Sequence, residues 1–331
     1  MDPYDKVPQT IVRKLAKAKN LKKLNGKSKE EIIDDLIQSG HKNDLDYLAT
    51  EFAFTKSSCG LIIERMLEPF PEEANTPEKF IKLLLEREKI STDSLSKLNW
   101  ELQYDDNVRI CGILHVGDVI YLNTVQRKYT SVKSGWNGST TNSYADIIPV
   151  AIHFSNSIIE YRTTPTYYAN VKKFVLDLLE YKEDSNIECE TLTKVTTTDA
   201  NAIKTLLQAN YSSEHIALPS TVGSVRLNSS RGTYDLENDE LAIKIRKFFE
   251  ENQLPSDDRM DVTCHLDEFE DRTTKITFPV TFDINIKSGS IKFKSLVTQS
   301  VIDHVFDAIV TVCFLNKQAT LDKNEAEELI I

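Results

Sequence analysis

The sequence lacks the features by which membrane, secreted and disulfide-rich proteins are recognised. No apolar run reaches the roughly 18 residues that a membrane-spanning helix needs, and residues 1–10 lack the apolar core of a secretory signal. The five cysteines lie far apart and form no CxxC pair, so we expect buried free thiols and neither a disulfide framework nor a zinc site. These absences predict an intracellular protein, cytoplasmic or nuclear, without membrane attachment.

Sequence motifs for catalysis are also missing. The chain contains no HExxH, phosphate-loop, GxGxxG or GxSxG pattern, and its six histidines lack the spacing of metal ligands. One arrangement imitates a metal-dependent nuclease: Asp146 precedes a strand that carries Glu160 and Arg162, with arginine in place of the usual lysine. Arginine does not lose a proton to assist water, and the two residues share one strand face, where an ion pair explains both. We therefore expect no cofactor and no metal and favour a non-enzymatic protein, with the metal-dependent nuclease kept as an alternative.

Acidic residues outnumber basic ones 51 to 40 in the whole chain, but they are missing from residues 6–29. We call this stretch the basic head. Its nine cations are Lys6, Arg13, Lys14, Lys17, Lys19, Lys22, Lys23, Lys27 and Lys29. Because the total charge is −11, these nine positive charges leave −20 for the remaining residues. A polyanion is attracted to such a head and repelled by most of the rest of the chain.

The basic head coincides with a helical pattern that breaks at Asn25-Gly26. Ser28 and Glu31 then have the spacing of a capping box, in which the serine hydroxyl accepts from the third amide and the glutamate reaches back. The N-terminus of the second helix offers amides and partial positive charge to a phosphate. Nearby lysines add affinity that depends on salt but not on base sequence.

This two-helix pattern, carried by Leu15, Leu21, Gly26-Lys27 and Ile32–Leu36, resembles the SAP helix–extended–helix module. It departs from that module in a slightly longer linker and in Asn20, which stands where glycine is usual. The resemblance implies DNA-backbone contacts around the start of the second helix. The predicted contacts are Lys22, Lys23, Gly26, Lys27 and Lys29, and the charge of the head adds Arg13, Lys14 and Lys17.

A second candidate contact lies around residues 134–143, which we predict to be a polar, turn-rich loop. It contains the lone Trp136, and the cations Arg127, Lys128 and Lys133 come just before it. An exposed aromatic residue beside cations can stack on a base or hold a partner. The alternative is that Trp136 folds back against the edge of the core.

Helical patterns dominate the first part of the chain, and strand patterns follow Trp100. After the basic head, further helices are predicted at 43–54, 58–67, 77–89, 168–181 and 198–210. Alternating β-branched residues predict a hairpin over 108–125 and strands over 147–154 and 158–162. The segment Phe278–Phe314 repeats the strand–turn–strand–helix order of residues 148–181. This repetition predicts an internal duplication, with chance similarity as the alternative.

The fold expected from these patterns is α+β, with an antiparallel sheet in a duplicated body. We predict a helical N-terminal domain over 1–92, a first α+β unit over 93–225 and a second over 226–331. In pattern and order, the chain is similar to the CENP-N family of inner-kinetochore proteins. The similarity rests on Ile148–Thr163, Tyr168–Leu179, Leu192, Asp199–Leu207 and Phe278–Val310. It implies non-enzymatic binding to nucleosomal DNA and to partner subunits.

The sequence therefore predicts a non-enzymatic DNA-binding protein or a subunit of a protein–DNA assembly. The basic head is expected to contact the DNA backbone, and the sheet body to dock a protein partner. Two alternatives stay open: a protein-interaction scaffold whose lysines only keep it soluble, and a metal-dependent nuclease. The sequence determines neither the oligomeric state nor the choice between DNA and RNA.

Overall fold

The computed structural model describes residues 3–57, 60–101, 104–134, 138–182, 187–218, 223–230, 235–254 and 258–316. The chain divides into two compact units, each built from two separate segments. The first unit comprises Met1–Lys6 and Phe52–Thr191, and the second comprises Val7–Glu51 and Leu192–Ile331. Among the described residues, no helix has the length and apolar character needed to cross a bilayer.

Eight α-helices and eleven β-strands lie within the described ranges. The helices α1 to α8 are Gln9–Ala18, Lys29–Gln38, Lys42–Ala53, Pro77–Glu86, Pro165–Leu178, Thr197–Leu207, Glu240–Glu251 and Gln299–Val310. The strands β1 to β11 are Gly60–Met66, Arg109–Val116, Val119–Ser134, Gly138–His153, Ile158–Thr163, Cys189–Thr191, Asn210–Ala217, Ser224–Asn228, Arg259–Glu270, Thr277–Asn285 and Ile291–Phe293. Helices and antiparallel strands together confirm the predicted α+β class.

The first unit contains antiparallel strands in the order β2-β3-β4-β5-β1, and β6 pairs with β1. The predicted hairpin over 108–125 is confirmed as β2 and β3, whose turn is at Gly117-Asp118. One sheet face is apolar because alternate residues of β3 and β4, such as Ile120 and Ile152, are apolar and point to it. It packs with buried side chains of α4 and α5, such as Phe80 and Val175, to form the core of this unit.

Two predictions in the first unit are wrong. Residues 58–67 were expected to be helical, but Gly60–Met66 is strand β1, which pairs with β5. Alternating burial along β1 shows why: Leu61 and Ile63 point to one face, as a pleated strand requires. The expected loop over 134–143 is also largely strand, since β3 continues to Ser134 and β4 begins at Gly138.

The second unit contains antiparallel strands in the order β11-β10-β9-β7-β8. Helices α1 to α3 belong to this unit although they precede it by more than a hundred residues along the chain. The Tyr47 hydroxyl donates to Asp271 at 2.9 Å, and the Ser300 hydroxyl donates to Glu51 at 2.6 Å. Helix α8 is buried along much of its length.

Both units contain the predicted strand–turn–strand–helix segment. In the first unit it is β4, β5 and α5, and in the second it is β10, β11 and α8. A strand precedes each segment and pairs with it, β3 in the first case and β9 in the second. The shared order supports the internal repeat, whereas its origin by duplication stays a prediction. The boundaries between the two units do not lie at 92/93 or 225/226, where the sequence predicted domain boundaries. The proposed N-terminal domain over 1–92 therefore contributes to both units.

Local sequence signals account for several helix starts. Ser28 accepts from the Glu31 amide at 3.2 Å, and Glu31 accepts from the Ser28 amide at 2.7 Å, which confirms the predicted capping box of α2. Thr76 caps α4, where Pro77 occupies the first helical position. The predicted free thiols are confirmed for Cys111, Cys264 and Cys313, which are buried, and for the half-buried Cys189; Cys59 lies outside the described residues.

Candidate nucleic-acid interface

The basic head beyond Lys6 is built from α1, a short connection and the start of α2. Buried apolar residues of α1, including Leu15, hold the helix in the second unit. The connection bends through positive φ angles at Asn20, Lys23 and Gly26. Arg13 fixes this bend, since its guanidinium donates to the carbonyl of Leu24 at 2.9 Å and to that of Lys27 at 2.5 Å. Arg13 therefore holds the connection in place rather than presenting a free charge.

Several lysines of the basic head are engaged within the protein. The ammonium of Lys14 donates to the Thr277 carbonyl at 3.1 Å, and Lys19 pairs with Asp44 at 2.9 Å. Lys27 forms an ion pair with Asp35. Lys6 belongs to the first unit, where it donates to a main-chain carbonyl and where burial lowers the pKa of its ammonium to about 8. The two ion pairs cancel part of the positive charge that the sequence suggested for phosphate binding. The two carbonyl contacts cancel no charge, but they hold the ammonium groups of Lys6 and Lys14 within the protein.

The N-terminus of α2, a predicted phosphate site, already has an anionic partner of its own. The Glu31 carboxylate accepts from the Ser28 amide, and Glu30 also lies in the first turn. Hydrogen bonds to its own amide and to Ser28 lower the pKa of Glu30, so this turn carries negative charge at neutral pH. Gly26, just before the helix, has open space around its Cα. A phosphate at this helix end would have to displace or tolerate two carboxylates.

Three lysines of the basic head are exposed, and among the described residues their side chains have no ion pair or hydrogen bond: Lys17, Lys22 and Lys23. Lys17 lies near the C-terminal end of α1, and the other two follow in the connection. Lys29 is half-buried and has an interaction within the protein. Of the predicted head contacts, these three lysines are therefore the ones that the fold leaves available to a partner.

The cations that precede Trp136 divide into different roles. Lys128 is buried, forms an ion pair with Asp146 and lies over the Tyr167 ring. Burial lowers the pKa of Lys128 in spite of this pairing. Arg127 is half-buried and donates to the Tyr104 carbonyl at 2.9 Å. The side chain of Lys133 and all of Trp136 lie outside the described residues, so their predicted contacts stay predictions.

The residues that imitated a nuclease are engaged in internal ion pairs. Arg162 Nε donates to Glu160 Oε1 at 2.7 Å, and both residues are buried. His153 approaches the second carboxylate oxygen at 3.9 Å. Burial alone would raise the pKa of Glu160, but Arg162 and His153 outweigh it and lower the pKa to about 2. The predicted same-face ion pair is thus confirmed.

Asp146, the other acid of the nuclease pattern, pairs with Lys56 at 2.7 Å and with Lys128. Burial raises the pKa of Asp146, but the hydrogen bonds from these two lysines outweigh burial and lower the pKa. Across the described ranges, no group of three or more His, Cys, Asp or Glu residues is placed to hold a metal ion.

The sequence did not point to two buried carboxylates that connect secondary-structure elements through ion pairs and hydrogen bonds. In the first unit, Glu64 of β1 accepts from Lys172 of α5 at 2.6 Å and from Thr191 at 2.9 Å. In the second unit, Glu214 of β7 accepts from Arg246 of α7 at 2.9 Å. The signal that could have found Glu64 is an acid inside an otherwise apolar strand segment, because buried charges require a partner.

No protein-family model matches this chain, and no curated protein matches its sequence. The candidate interface therefore rests on the chain's own residues.

Proposed function

We propose that this protein binds DNA without catalysing a reaction and that its basic head contacts the phosphate backbone. The observation that carries the proposal is the exposure of Lys17, Lys22 and Lys23, which have no intramolecular ion pair among the described residues, in a stretch without acidic residues. No side chain of the described residues cancels their charges. Contact with phosphates releases counterions and gives affinity that falls as salt rises.

The number of free lysines sets the scale of the binding. Three phosphate contacts correspond to a slope of about −2.7 in a plot of log affinity against log salt. Between 50 and 200 mM salt, such a contribution amounts to an affinity loss of about 40-fold. The proposal is therefore one of modest, salt-sensitive binding that is independent of base sequence.

The test is a titration of full-length protein against a labelled DNA duplex at several salt concentrations. The variant Lys17→Gln/Lys22→Gln/Lys23→Gln removes three charges while leaving the Arg13 and Ser28 contacts of the head intact. We expect it to bind more weakly and to have a salt slope that is smaller by about 2 to 3.

A matched control is Lys244→Gln/Lys287→Gln/Lys292→Gln, which removes three exposed lysines from the same unit. It should bind DNA more tightly than the head variant. Equal affinity of the two variants, or binding of the wild-type protein that is indifferent to salt, contradicts the proposal.

A protein-interaction scaffold is the second candidate, favoured by one observation. Helix α7 exposes Leu241 (66% exposed) and Phe248 (57% exposed), which lie seven residues apart on one helix face. Such apolar exposure is typical of protein contacts. No DNA retention by the wild-type protein at physiological salt, in the titration above, would favour this candidate over DNA binding. For the nuclease, the internal pairing of Asp146, Glu160 and Arg162 offers no support.

A further inference from the structure

The long hairpin of β3 and β4 extends past the strands that flank it. Strand β2 pairs with β3 only as far as Val125, and β5 pairs with β4 only from Val150 onward. Beyond those points, and within the described ranges, β3 and β4 pair only with each other, from the row Arg127↔Ala145 to the row Ser134↔Gly138. We call residues 127–134 and 138–145 the ribbon.

Apart from Arg127 and Lys128, the ribbon residues whose side chains the structure describes are exposed, and they lie on both faces. Tyr129 (59% exposed) and Val132 (55% exposed) lie on opposite faces of β3, because successive strand residues alternate. The β4 arm of the ribbon, Gly138–Ala145, is exposed throughout. The base is fixed by Arg127 and Lys128 through the contacts described above, and the Tyr129 hydroxyl donates to Asp106 at 3.2 Å. A firmly anchored base with exposed arms favours contact with a partner.

The side chains of the ribbon have a distinctive chemistry. Ten of its sixteen residues carry a hydroxyl or an amide, three are cationic and none is acidic. Two of the three cations, Arg127 and Lys128, are already engaged at the base of the ribbon. Acids outnumber bases in the whole chain, so an acid-free exposed surface is unusual for this protein. Hydroxyl, amide and cationic side chains are those that proteins use to contact phosphates and base edges. The absence of acids allows close approach to a polyanion.

We propose that the ribbon enters the major groove of B-form DNA, an inference that rests on the proposed DNA binding and adds a second contact to it. The major groove admits a two-stranded ribbon. Eight rows of paired residues extend over about 24 Å at a rise of about 3.4 Å per residue, which corresponds to roughly seven base pairs. The proposed ligand of the ribbon is duplex DNA and not duplex RNA, since the major groove of A-form RNA is too deep and narrow for side chains to read.

The test introduces charge on both faces of the ribbon without placing like charges directly opposite each other. Thr130 and Thr141 are exposed and lie in different rows. We expect Thr130→Glu/Thr141→Glu to weaken binding to duplex DNA by at least about tenfold, because like charges repel at an interface. The variant Thr130→Lys/Thr141→Lys, which alters the strand at the same positions, should bind more tightly than wild type. A control, Thr92→Glu/Thr166→Glu, adds the same charge at exposed positions elsewhere in the first unit and should bind more tightly than the ribbon Glu variant.

The outcomes distinguish the proposed contact of the ribbon from the proposed contact of the basic head. If wild-type protein does not bind duplex DNA, both the proposed function and the ribbon contact fail. If wild type binds and the head variant is weakened, but the ribbon Glu variant matches its control, only the ribbon contact is overturned. Equal binding of duplex DNA, duplex RNA and single-stranded DNA would also overturn it. Circular dichroism spectra that match wild type establish that a loss of affinity does not come from unfolding.

Discussion

At the scale of single residues, several buried charged side chains of this protein hold elements together. Arg162 is 1% exposed, its Nε donates to Glu160, and its Nη1 donates to the carbonyl of Phe54. A buried charge is costly unless it is paired, so each member of the pair depends on the other. Removal of one partner should therefore cost more than the net contribution of the pair.

The variant Glu160→Gln tests this dependence and the direction in which the stabilising effect of Glu160 changes with pH. Because the pKa of Glu160 is lowered to about 2 from the ordinary 4.5, its stabilising effect is present above pH 4.5 and is lost as pH falls towards 2. We expect the variant to be less stable than wild type by about 3–5 kcal/mol at pH 7, since it leaves Arg162 buried beside a neutral amide. The difference should shrink as pH falls below 4.5, as measured by urea unfolding at a series of pH values.

Glu188→Gln, at an exposed position in the same unit, is the control and should leave stability unchanged within about 0.5 kcal/mol at pH 7. A pH-independent difference between wild type and Glu160→Gln would mean that the carboxylate charge does not stabilise the fold.

The same residue-scale contacts limit what a sequence can reveal about a site. The sequence suggested Lys128 as a nucleic-acid contact because it lies among other cations before Trp136. The structure buries Lys128 against Asp146, eighteen positions along the chain, and the pairing of Gln126 with Asp146 across the hairpin brings them together. Strand register depends on residues distant in sequence, so neither the charge pattern nor the residue spacing of the sequence could predict the Lys128–Asp146 pair.

At the scale of elements, the predictions succeeded where the signal is local. Ser28 and Glu31 marked the start of α2 because both partners of a capping box lie within one helical turn. Strand β1 was missed because a short apolar run such as Leu61–Ile63 fits a buried helix as well as a strand. Residues 134–143 were expected to be a loop since Ser, Thr and Asn are common in turns. Cross-strand pairing nevertheless keeps Ser134 and Gly138–Ser143 extended.

Two glycines of the second unit allow the cost of a strained backbone conformation to be measured apart from the cost of close packing. Gly40, after α2, and Gly289, in the turn between β10 and β11, both have positive φ. A Cβ at Gly40 would meet no atom within 4 Å, whereas one at Gly289 would lie 2.7 Å from the Leu192 carbonyl oxygen. Gly40→Ala should cost about 1–2 kcal/mol from conformation alone.

Gly289→Ala should cost about 1–3 kcal/mol more than Gly40→Ala, because its Cβ also forces the backbone of residues 192–194 to move. Urea unfolding of the two variants beside wild type measures both losses. Equal losses would show that the backbone near Leu192 yields without cost and that packing at this turn is loose.

At the scale of the whole molecule, each compact unit is assembled from segments that are distant in sequence. The sequence predicted a helical N-terminal domain over 1–92, as the early run of helical patterns suggested. In the structure, Val7–Glu51 belongs with Leu192–Ile331, and Phe52–Thr191 belongs with the first six residues. Periodicity predicts which segments are helices, but it carries no information about which distant segment a helix will pack against.

This arrangement predicts that deletion of residues 1–51 does more than remove the basic head. The second unit would lose Leu15, Leu36 and Leu45, which are fully buried, and each such leucine contributes about 1.5–3 kcal/mol. We expect the 52–331 truncation to lose helical signal beyond that of the deleted residues and to become sensitive to protease within 192–316.

The Lys17→Gln/Lys22→Gln/Lys23→Gln variant should keep the protease resistance of wild type, because its substitutions are at exposed positions. Weak DNA binding by the truncation therefore says nothing about phosphate contacts, whereas weak binding by the lysine variant does. A truncation whose 192–316 region resists protease as wild type does would instead show that these strands and helices fold without α1 to α3.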